Sequence, residues 1–231
     1  MKIGLIGAMD EEVDILKHEM NLKEVLKRAG MDYYTGLLQN TNVVIVRSGI
    51  GKVNAAIAAQ ILISEFNIDY IINTGVAGGL KREVNVGDIV VSTDALEHDF
   101  DATAFGCKLG EIPRMDESIF KADKKLIDIA LIAAKDNIKG EIFAGRIISG
   151  DKFVSSKAEV KRLGEIFDAY AVEMEGAAIA HVAYLNKIPF VIIRSISDNA
   201  DDNATVDFKT FVEKASITSS NIVKEMLEKF R

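Results

Sequence analysis

Residues 70–80 read Tyr-Ile-Ile-Asn-Thr-Gly-Val-Ala-Gly-Gly-Leu, an apolar run that leads directly into three glycines within five residues. The apolar residues at the start of this stretch predict a strand over Tyr70–Thr74 that is buried on both faces. We interpret the glycines as a junction where the backbone passes close to another group, for which a planar base is a good candidate. A turn without a ligand is the alternative interpretation.

Apolar runs of this kind alternate along the chain with segments of helical period. The other predicted strands are Lys2–Gly7, Val43–Ser48, Asp88–Ser92, Gly145–Ser149, Ala169–Glu173 and Phe190–Ser195, with Tyr33–Leu38 as a hairpin partner of Val43–Ser48. The predicted helices are Asp10–Met20, Gly51–Phe66, Lys124–Asp136, Ser156–Phe167, Gly176–Lys187 and a C-terminal helix from about Phe208, capped by Asp207. This alternation predicts an α/β fold with a central mixed β-sheet, or a parallel one, flanked by α-helices. In such folds, ligands bind where strands end and helices begin.

Composition narrows the function. The chain has 231 residues, 48% of them hydrophobic, and no linker-like segment, which predicts a single domain over residues 1–231. A net charge of −7 without a clustered basic stripe argues against nucleic-acid binding. No segment approaches the roughly 18 uninterrupted apolar residues of a membrane helix, and acids directly follow the short apolar run at Ile3–Met9, so we expect a cytoplasmic protein without a signal peptide. One cysteine and three scattered histidines predict no zinc site.

Two glycine-containing junctions lie in the first quarter of the chain. Gly4–Met9 lacks the G-x-G-x-x-G spacing of dinucleotide loops, and Glu12 behind it either complements the helix dipole or serves a site. The glycines of Ser48–Asn54 either bring backbone N–H groups to a ligand or simply permit a tight turn. Lys52 lacks a preceding P-loop pattern, so no ATP site is predicted.

Acidic residues end two apolar strands later in the chain. Glu173 and Glu175 are expensive to bury unless hydrogen-bonded, and a carboxylate can accept hydrogen bonds from both hydroxyls of a ribose. Their alternative role is to complement the N-terminus of the following helix. Arg194 is placed to orient these carboxylates, which leaves Asp198 as a proton donor, whereas a buried structural ion pair is the competing interpretation.

Eight segments occur in one order: GAMDEEVD, SGIGKVNAA, INTGVAGGL, VGDIVVS, TAFG, SGDKFV, AVEMEGAAIAHVA and RSISDNAD. Together, from Met1 to the C-terminal helix, they resemble the 5′-methylthioadenosine/S-adenosylhomocysteine nucleosidase family of the purine nucleoside phosphorylase superfamily. The residues alone predict an α/β domain with an acidic site, and the resemblance implies the substrate. It implies a nucleoside phosphorylase-like fold that hydrolyses the N-glycosidic bond of these nucleosides, and of 5′-deoxyadenosine, releasing adenine without metal or cofactor.

The resemblance also implies roles for individual residues. Glu12 would activate the attacking water, and Asp198, helped by Ser197, would protonate adenine N7. Glu175 would bind the ribose hydroxyls. The other implied substrate contacts are Glu173, Met174 and Arg194 near the ribose, Phe153, Val154, Ala77 and Gly78 at the base, and Met9, Ile50 and Phe208 around the 5′ group. Ala102, Phe105 and Pro113 would complete the pocket of a partner subunit, which implies a homodimer.

Three residues depart from the family pattern: Val76 replaces a common serine, Cys107 an aromatic residue and Ala102 a larger aliphatic one. These changes leave the preferred 5′ substituent open. A nucleoside phosphorylase is the nearest alternative and needs a cationic phosphate pocket. Arg47 and Lys52 flank the Gly49–Gly51 turn, but Glu12 and the SGIGKV segment favour water. A non-catalytic adenosine sensor would not need an acid and a base on opposite sides of the sugar.

Overall fold

The computed structural model describes residues 1–138, 140–200 and 204–230. Within them, ten strands form one sheet: β1 (Lys2–Gly7), β2 (Asn21–Arg28), β3 (Met31–Leu38), β4 (Thr41–Arg47), β5 (Tyr70–Gly79), β6 (Ile89–Glu97), β7 (Phe120–Lys121), β8 (Ile142–Ser149), β9 (Ala171–Glu173) and β10 (Phe190–Asp198). The helices are α1 (Asp10–Glu19), α2 (Lys52–Phe66), α3 (Lys124–Asn137), α4 (Lys157–Phe167), α5 (Gly176–Asn186) and α6 (Ala204–Lys229). Over the same residues, no helix is long and apolar enough to cross a bilayer.

The sheet is mixed, as predicted. β4, β1, β5 and β10 run parallel to one another, and β3 and β2 extend the β4 edge in antiparallel fashion. β6 pairs antiparallel with β10 and parallel with β8, while β9 joins β8 to the end of β5. Five strands therefore close a circuit, β5–β10–β6–β8–β9, which brings the carboxyl ends of β5, β9 and β10 together.

Helices cover both faces of the sheet, which is why its strands are apolar at consecutive positions. Leu5 of β1 belongs to the apolar core that includes residues of α1, α3 and α6, whereas its neighbour Ile6 belongs to the core that includes residues of α2 and α5. Because successive side chains of a strand point to opposite faces, both faces need apolar residues here. Burying each such side chain contributes about 1.5–3 kcal/mol.

Some predicted boundaries were wrong. β5 does not end at Thr74 but continues through the glycines to Gly79, because β10 pairs with it along that length and β9 pairs with its last residues. α6 begins at Ala204 rather than near Phe208, so Asp207 lies in its first turn instead of capping it. β2 was missed because its mostly exposed, charge-rich sequence lacks a buried face. The hairpin between β3 and β4 is confirmed, with Gln39 and Asn40 both at positive φ in its turn.

Candidate active site

A cavity of about 110 Å³, partly open to solvent, lies at the carboxyl ends of the parallel strands. This is the edge where α/β sheets bind ligands. The structure brings together thirteen of the predicted residues in its lining: Met9, Glu12, Ile50, Ala77, Gly78, Phe153, Val154, Glu173, Met174, Glu175, Ser197, Asp198 and Phe208. Ala8, Val76, Lys152 and Val172 also line it, and the sequence had not marked them as contacts.

Glu12 is a buried carboxylate in the first turn of α1. Its Oε2 accepts hydrogen bonds from the backbone N–H groups of Ala8 (2.6 Å) and Met9 (3.0 Å), and its Oε1 accepts one from Val76 (3.0 Å). Burial raises the pKa of Glu12, and the charge of Arg194 and the three N–H donors only partly offset that effect. Glu12 therefore holds a proton more readily than an ordinary glutamate, as suits a general base.

Asp198 ends β10 on the other side of the β5 glycines. The Ser197 hydroxyl donates to its Oδ2 (2.9 Å), and the Ala200 N–H donates to its Oδ1 (2.8 Å). Its residue surface is only 2% exposed, although it lines the cavity. A bulge between Ile196 and Asp198 breaks the regular pairing with β5 and places both polar side chains at the strand end.

The β5 glycines make room for the two acids. A Cβ atom on Gly75 would collide with the Glu12 carboxylate, and one on Gly78 would lie 3.0 Å from Asp198 Oδ1. Another group therefore passes close to the backbone of the glycine-rich stretch, as the sequence predicted, but the close neighbours belong to this chain: the Glu12 carboxylate at Gly75, and Ala200 Cβ (2.7 Å) and the Asp198 carboxylate at Gly78.

Arg194 lies behind the cavity and supports Glu173, which lines it. Arg194 Nη2 donates to Glu173 Oε2 and to Asn73 Oδ1, each at 2.5 Å. Glu173 also accepts hydrogen bonds from the Ser149 hydroxyl and the Gly176 N–H. Arg194 therefore orients a carboxylate as predicted, but it lies behind Glu173 rather than in the cavity lining.

Glu175 faces the cavity from the N-terminus of α5. Its Oε1 accepts a hydrogen bond from the Gly51 N–H (2.7 Å), so the Gly49–Gly51 turn binds a carboxylate of the chain itself. Burial, and next the nearby charge of Glu173, raise the pKa of Glu175 to about 8.

Apolar side chains form the outer part of the cavity. The rings of Phe153 and Phe208 meet edge to face, with centroids 5.8 Å apart. Ile50 is 55% exposed. The residues expected at a partner's pocket lie outside this cavity: Phe105 is 87% exposed, Pro113 is exposed, and Ala102 is buried within its own protomer.

Comparison with known proteins gives a consistent result. A family model described as the phosphorylase superfamily matches residues 2–228. The 5′-methylthioadenosine/S-adenosylhomocysteine nucleosidase of an Exiguobacterium strain is 45% identical over 224 residues, which cover 96% of each chain. The chain belongs to this nucleosidase family.

Solved structures agree with that membership of the nucleosidase family, whose members are hydrolases acting on N-glycosyl bonds. The Neisseria meningitidis nucleosidase, in complex with methylthio-immucillin-A, is similar with a TM-score of 0.95 and 39% identity over 99% of both chains. Futalosine hydrolase of Helicobacter pylori is also similar, with a TM-score of 0.94 and 33% identity, covering 99% of this chain and 98% of that one.

Arg47 and Lys52, the two cationic residues considered above for a phosphate pocket, pair with carboxylates outside the cavity of this nucleosidase. Arg47 Nε lies 3.2 Å from Asp10 Oδ1, and Lys52 Nζ pairs with Glu97 and Asp99. Neither residue lines the cavity. Across the described part of the chain, Lys152 is the only lysine or arginine in the lining, and its side chain is 63% exposed.

Two supporting residues of this nucleosidase were missed from the sequence. Ser149 donates to Glu173 and accepts from the Ala177 N–H (2.7 Å), and Asn73 accepts from Arg194 while donating to the Ile6 carbonyl (2.9 Å). Ser149 ends β8 and Asn73 lies in the first half of β5, and each is a buried polar residue that follows two isoleucines. That pattern was the available signal, because a buried polar group requires partners.

Proposed function

We propose that this chain hydrolyses the N-glycosidic bond of 5′-methylthioadenosine and S-adenosylhomocysteine, releasing adenine and the 5′-thioribose. The observation that carries the proposal is that two buried carboxylates, Glu12 and Asp198, both line one cavity, each packed against a glycine of β5. Two carboxyl groups that line one cavity suit an acid and a base acting on opposite faces of a sugar.

In the proposed reaction, the bond between ribose C1′ and adenine N9 breaks as water attacks C1′. Glu12 accepts a proton from that water, and Asp198, carrying a proton, delivers it to adenine N7, so that neutral adenine leaves. The Ser197 hydroxyl fixes the Asp198 carboxyl through its 2.9 Å hydrogen bond. Each proton-transfer group is expected to contribute about 10²–10⁴-fold to the rate.

Glu175 is proposed to bind the ribose hydroxyls, with Met174 beside it. One of its oxygens is held by the Gly51 N–H, which leaves the other to face the cavity. Glu173 and Arg194 support it, because their hydrogen bonds are made to protein groups and fix the start of α5. Phe153 is proposed to stack on adenine, while Val154, Ala77 and Gly78 complete the base site.

Met9, Ile50 and Phe208 are proposed to surround the 5′ group, an apolar setting that suits a thioether or a 5′-deoxy carbon. 5′-Deoxyadenosine is therefore a further proposed substrate. The similarity to a futalosine hydrolase makes futalosine the natural test of a bulkier 5′ substituent. Val76, in place of the family's common serine, adds an apolar wall near Glu12.

A homodimer is proposed as the working assembly. Phe105 is 87% exposed, and Pro113 is exposed in the segment that follows it. An aromatic ring so fully presented to solvent would gain from burial against another chain. The proposed acceptor is the outer part of the partner's cavity, around the 5′ group.

The experiment is adenine release from 5′-methylthioadenosine in phosphate-free buffer, comparing wild type, Asp198→Asn and the control Asp128→Asn. Asp128 is a half-exposed residue on α3, so its variant should keep wild-type activity. We expect rapid release by the wild type and a loss of at least about a hundredfold in Asp198→Asn. Release that requires phosphate and yields a ribose 1-phosphate would instead establish a phosphorylase, and no release under either condition would favour a sensor.

A further inference from the structure

Lys52 is the centre of a charged cluster beside, but outside, the cavity. Its Nζ lies 2.6 Å from Asp99 Oδ1 and 3.0 Å from Glu97 Oε2, and its side chain is only 17% exposed. His181 Nδ1 lies 3.1 Å from the other oxygen of Glu97. None of these side chains lines the cavity, so the proposed chemistry leaves this cluster without a role.

The cluster extends through Asp151 to a second part of the chain. Asp151 Oδ1 accepts a hydrogen bond from the Lys52 backbone N–H (2.8 Å), and the Asp151 N–H donates to Asp99 Oδ2 (2.9 Å). Lys52 is thus bound at both its backbone and its side chain. It joins the turn before α2, the end of β6 and the segment after β8.

Each joined segment carries part of the candidate site. The turn before α2 contributes the Gly51 N–H that holds Glu175. The segment after β8 contributes Phe153 and Val154, and the chain after Asp99 leads to Phe105.

The ammonium group of Lys52 supplies the positive charge that Glu97 and Asp99 share. Burial lowers the pKa of Lys52, but the hydrogen bonds to Asp99 and Glu97 outweigh it and the net shift is upward, so the ammonium stays charged. Without that charge, the carboxylates of Glu97 and Asp99, which both contact Lys52 Nζ, would lose the cation between them, and like charges repel.

We propose that Lys52 is a positioning residue for the hydrolysis. Its ammonium fixes the Gly49–Gly51 turn relative to the segment of Phe153, so that the residues that bind ribose and adenine keep their relative positions. The proposal rests on the proposed function, since it takes Glu175 and Phe153 as substrate contacts. Lys52 acts through these residues and touches no reacting atom. Its loss should therefore weaken binding more than it slows the chemical step.

The test measures KM and kcat for adenine release from 5′-methylthioadenosine, together with the dissociation constant of adenine by calorimetry. In Lys52→Met we expect KM and the adenine dissociation constant to rise roughly tenfold, the equivalent of one 1.4 kcal/mol step, while kcat changes less than about threefold. Lys52→Arg keeps the charge and should recover most of the loss. Lys124→Met, which removes an exposed i,i+4 ion pair with Asp128, is the matched control and should resemble the wild type.

Unchanged KM and adenine affinity in a folded Lys52→Met would overturn the proposal, and so would equal losses in the Arg variant. If Lys52→Met does not fold, Asp99→Asn decides, because it removes one carboxylate of the cluster and leaves Lys52 in place. A raised KM at a wild-type unfolding temperature supports positioning, and a wild-type KM refutes it. Wild-type turnover tests the proposed function separately, because adenine binding reports on Lys52 even if no nucleoside is cleaved.

Discussion

Glu12 is a buried carboxylate on whose pKa hydrogen bonding and burial act in opposite directions. Three backbone N–H groups donate to its carboxylate, and these hydrogen bonds favour the charged form. Burial nevertheless dominates and raises its pKa. A carboxylate in this setting gains affinity for a proton without losing its fixed orientation.

The raised pKa of Glu12 predicts how activity depends on pH. The proposed base must be ionised, so activity should fall as pH drops through the pKa of Glu12, and the midpoint should lie above the ordinary 4.5. Below that midpoint, kcat/KM should drop about tenfold per pH unit. The measurement is a pH profile of kcat/KM with 5′-methylthioadenosine. Full activity maintained down to the ordinary glutamate pKa would count against Glu12 as the base.

The raised pKa of Glu175 predicts that the free energy of unfolding depends on pH. Its pKa is raised to about 8 in the folded chain against 4.5 for an ordinary glutamate, so its contribution to folding is fully present below the lower value and is lost as pH rises through the higher one. Because glutamine does not ionise, Glu175→Gln does not lose this contribution. At pH values above 8, its unfolding temperature should therefore be a few degrees higher than that of the wild type. Thermal unfolding across pH measures it, and a wild-type curve at every pH would contradict it.

At the scale of elements, β5 is the strand on which the site depends. Its first half is buried under helices on both faces, and Val76, Ala77 and Gly78 of its glycine-rich second half line the cavity. Glycine weakens a strand on its own. Here β10 holds the second half in place, and the missing side chains become space for Glu12 and Asp198.

A single added methyl group should test that role. Gly75→Ala would drive a Cβ into the Glu12 carboxylate, and we expect kcat to fall at least about a hundredfold, as for loss of the base. Gly164→Ala in α4 is the control, because its nearest neighbour would be 4.0 Å away and alanine favours a helix by up to about 1 kcal/mol. The measurements are kcat and the unfolding temperature. A fully active Gly75→Ala would show that the close contact is unimportant.

Comparing the predicted and observed extents of β5 also shows what the sequence could predict. The apolar runs located the buried strands and the mixed sheet, because burial on both faces leaves a direct mark on composition. Glu12, Glu175 and Asp198 could be found as polar residues near strand ends. The continuation of β5 beyond Thr74 could not, since it depends on pairing with β9 and β10, which lie about a hundred residues or more away in the chain.

At the scale of the whole molecule, a closed circuit of strands positions the residues of the candidate site, while the segment that carries Phe105 lies outside it. Residues of β5, β9 and β10 line one cavity, whereas Phe105 is exposed to solvent on a short turn at Thr103–Phe105. A ring that is 87% exposed adds little to the stability of its own protomer. Its energetic contribution is therefore expected in an assembly.

The prediction that follows is that Phe105 acts across a dimer. Phe105→Ala should raise KM for 5′-methylthioadenosine about tenfold, because the outer wall of the partner's pocket is lost. Ile132→Ala, at a residue that is 51% exposed on α3, removes a comparable exposed apolar group and should leave KM unchanged. Wild-type KM in Phe105→Ala, or a fully active monomer by light scattering, would contradict shared pockets.

Complementation makes the test specific to sharing between subunits. In a mixed dimer of Phe105→Ala and Asp198→Asn chains, the first chain keeps Asp198 and receives Phe105 from the second, so one of its two sites is complete. Random pairing of equal amounts makes about a quarter of all sites complete, assuming twofold symmetry. Co-expressed chains should therefore show two kinds of active site: about a quarter of all sites with the wild-type KM, and another quarter, in Phe105→Ala homodimers, with the raised KM. If Phe105 served its own protomer instead, no mixture of the two chains could produce a site with wild-type KM.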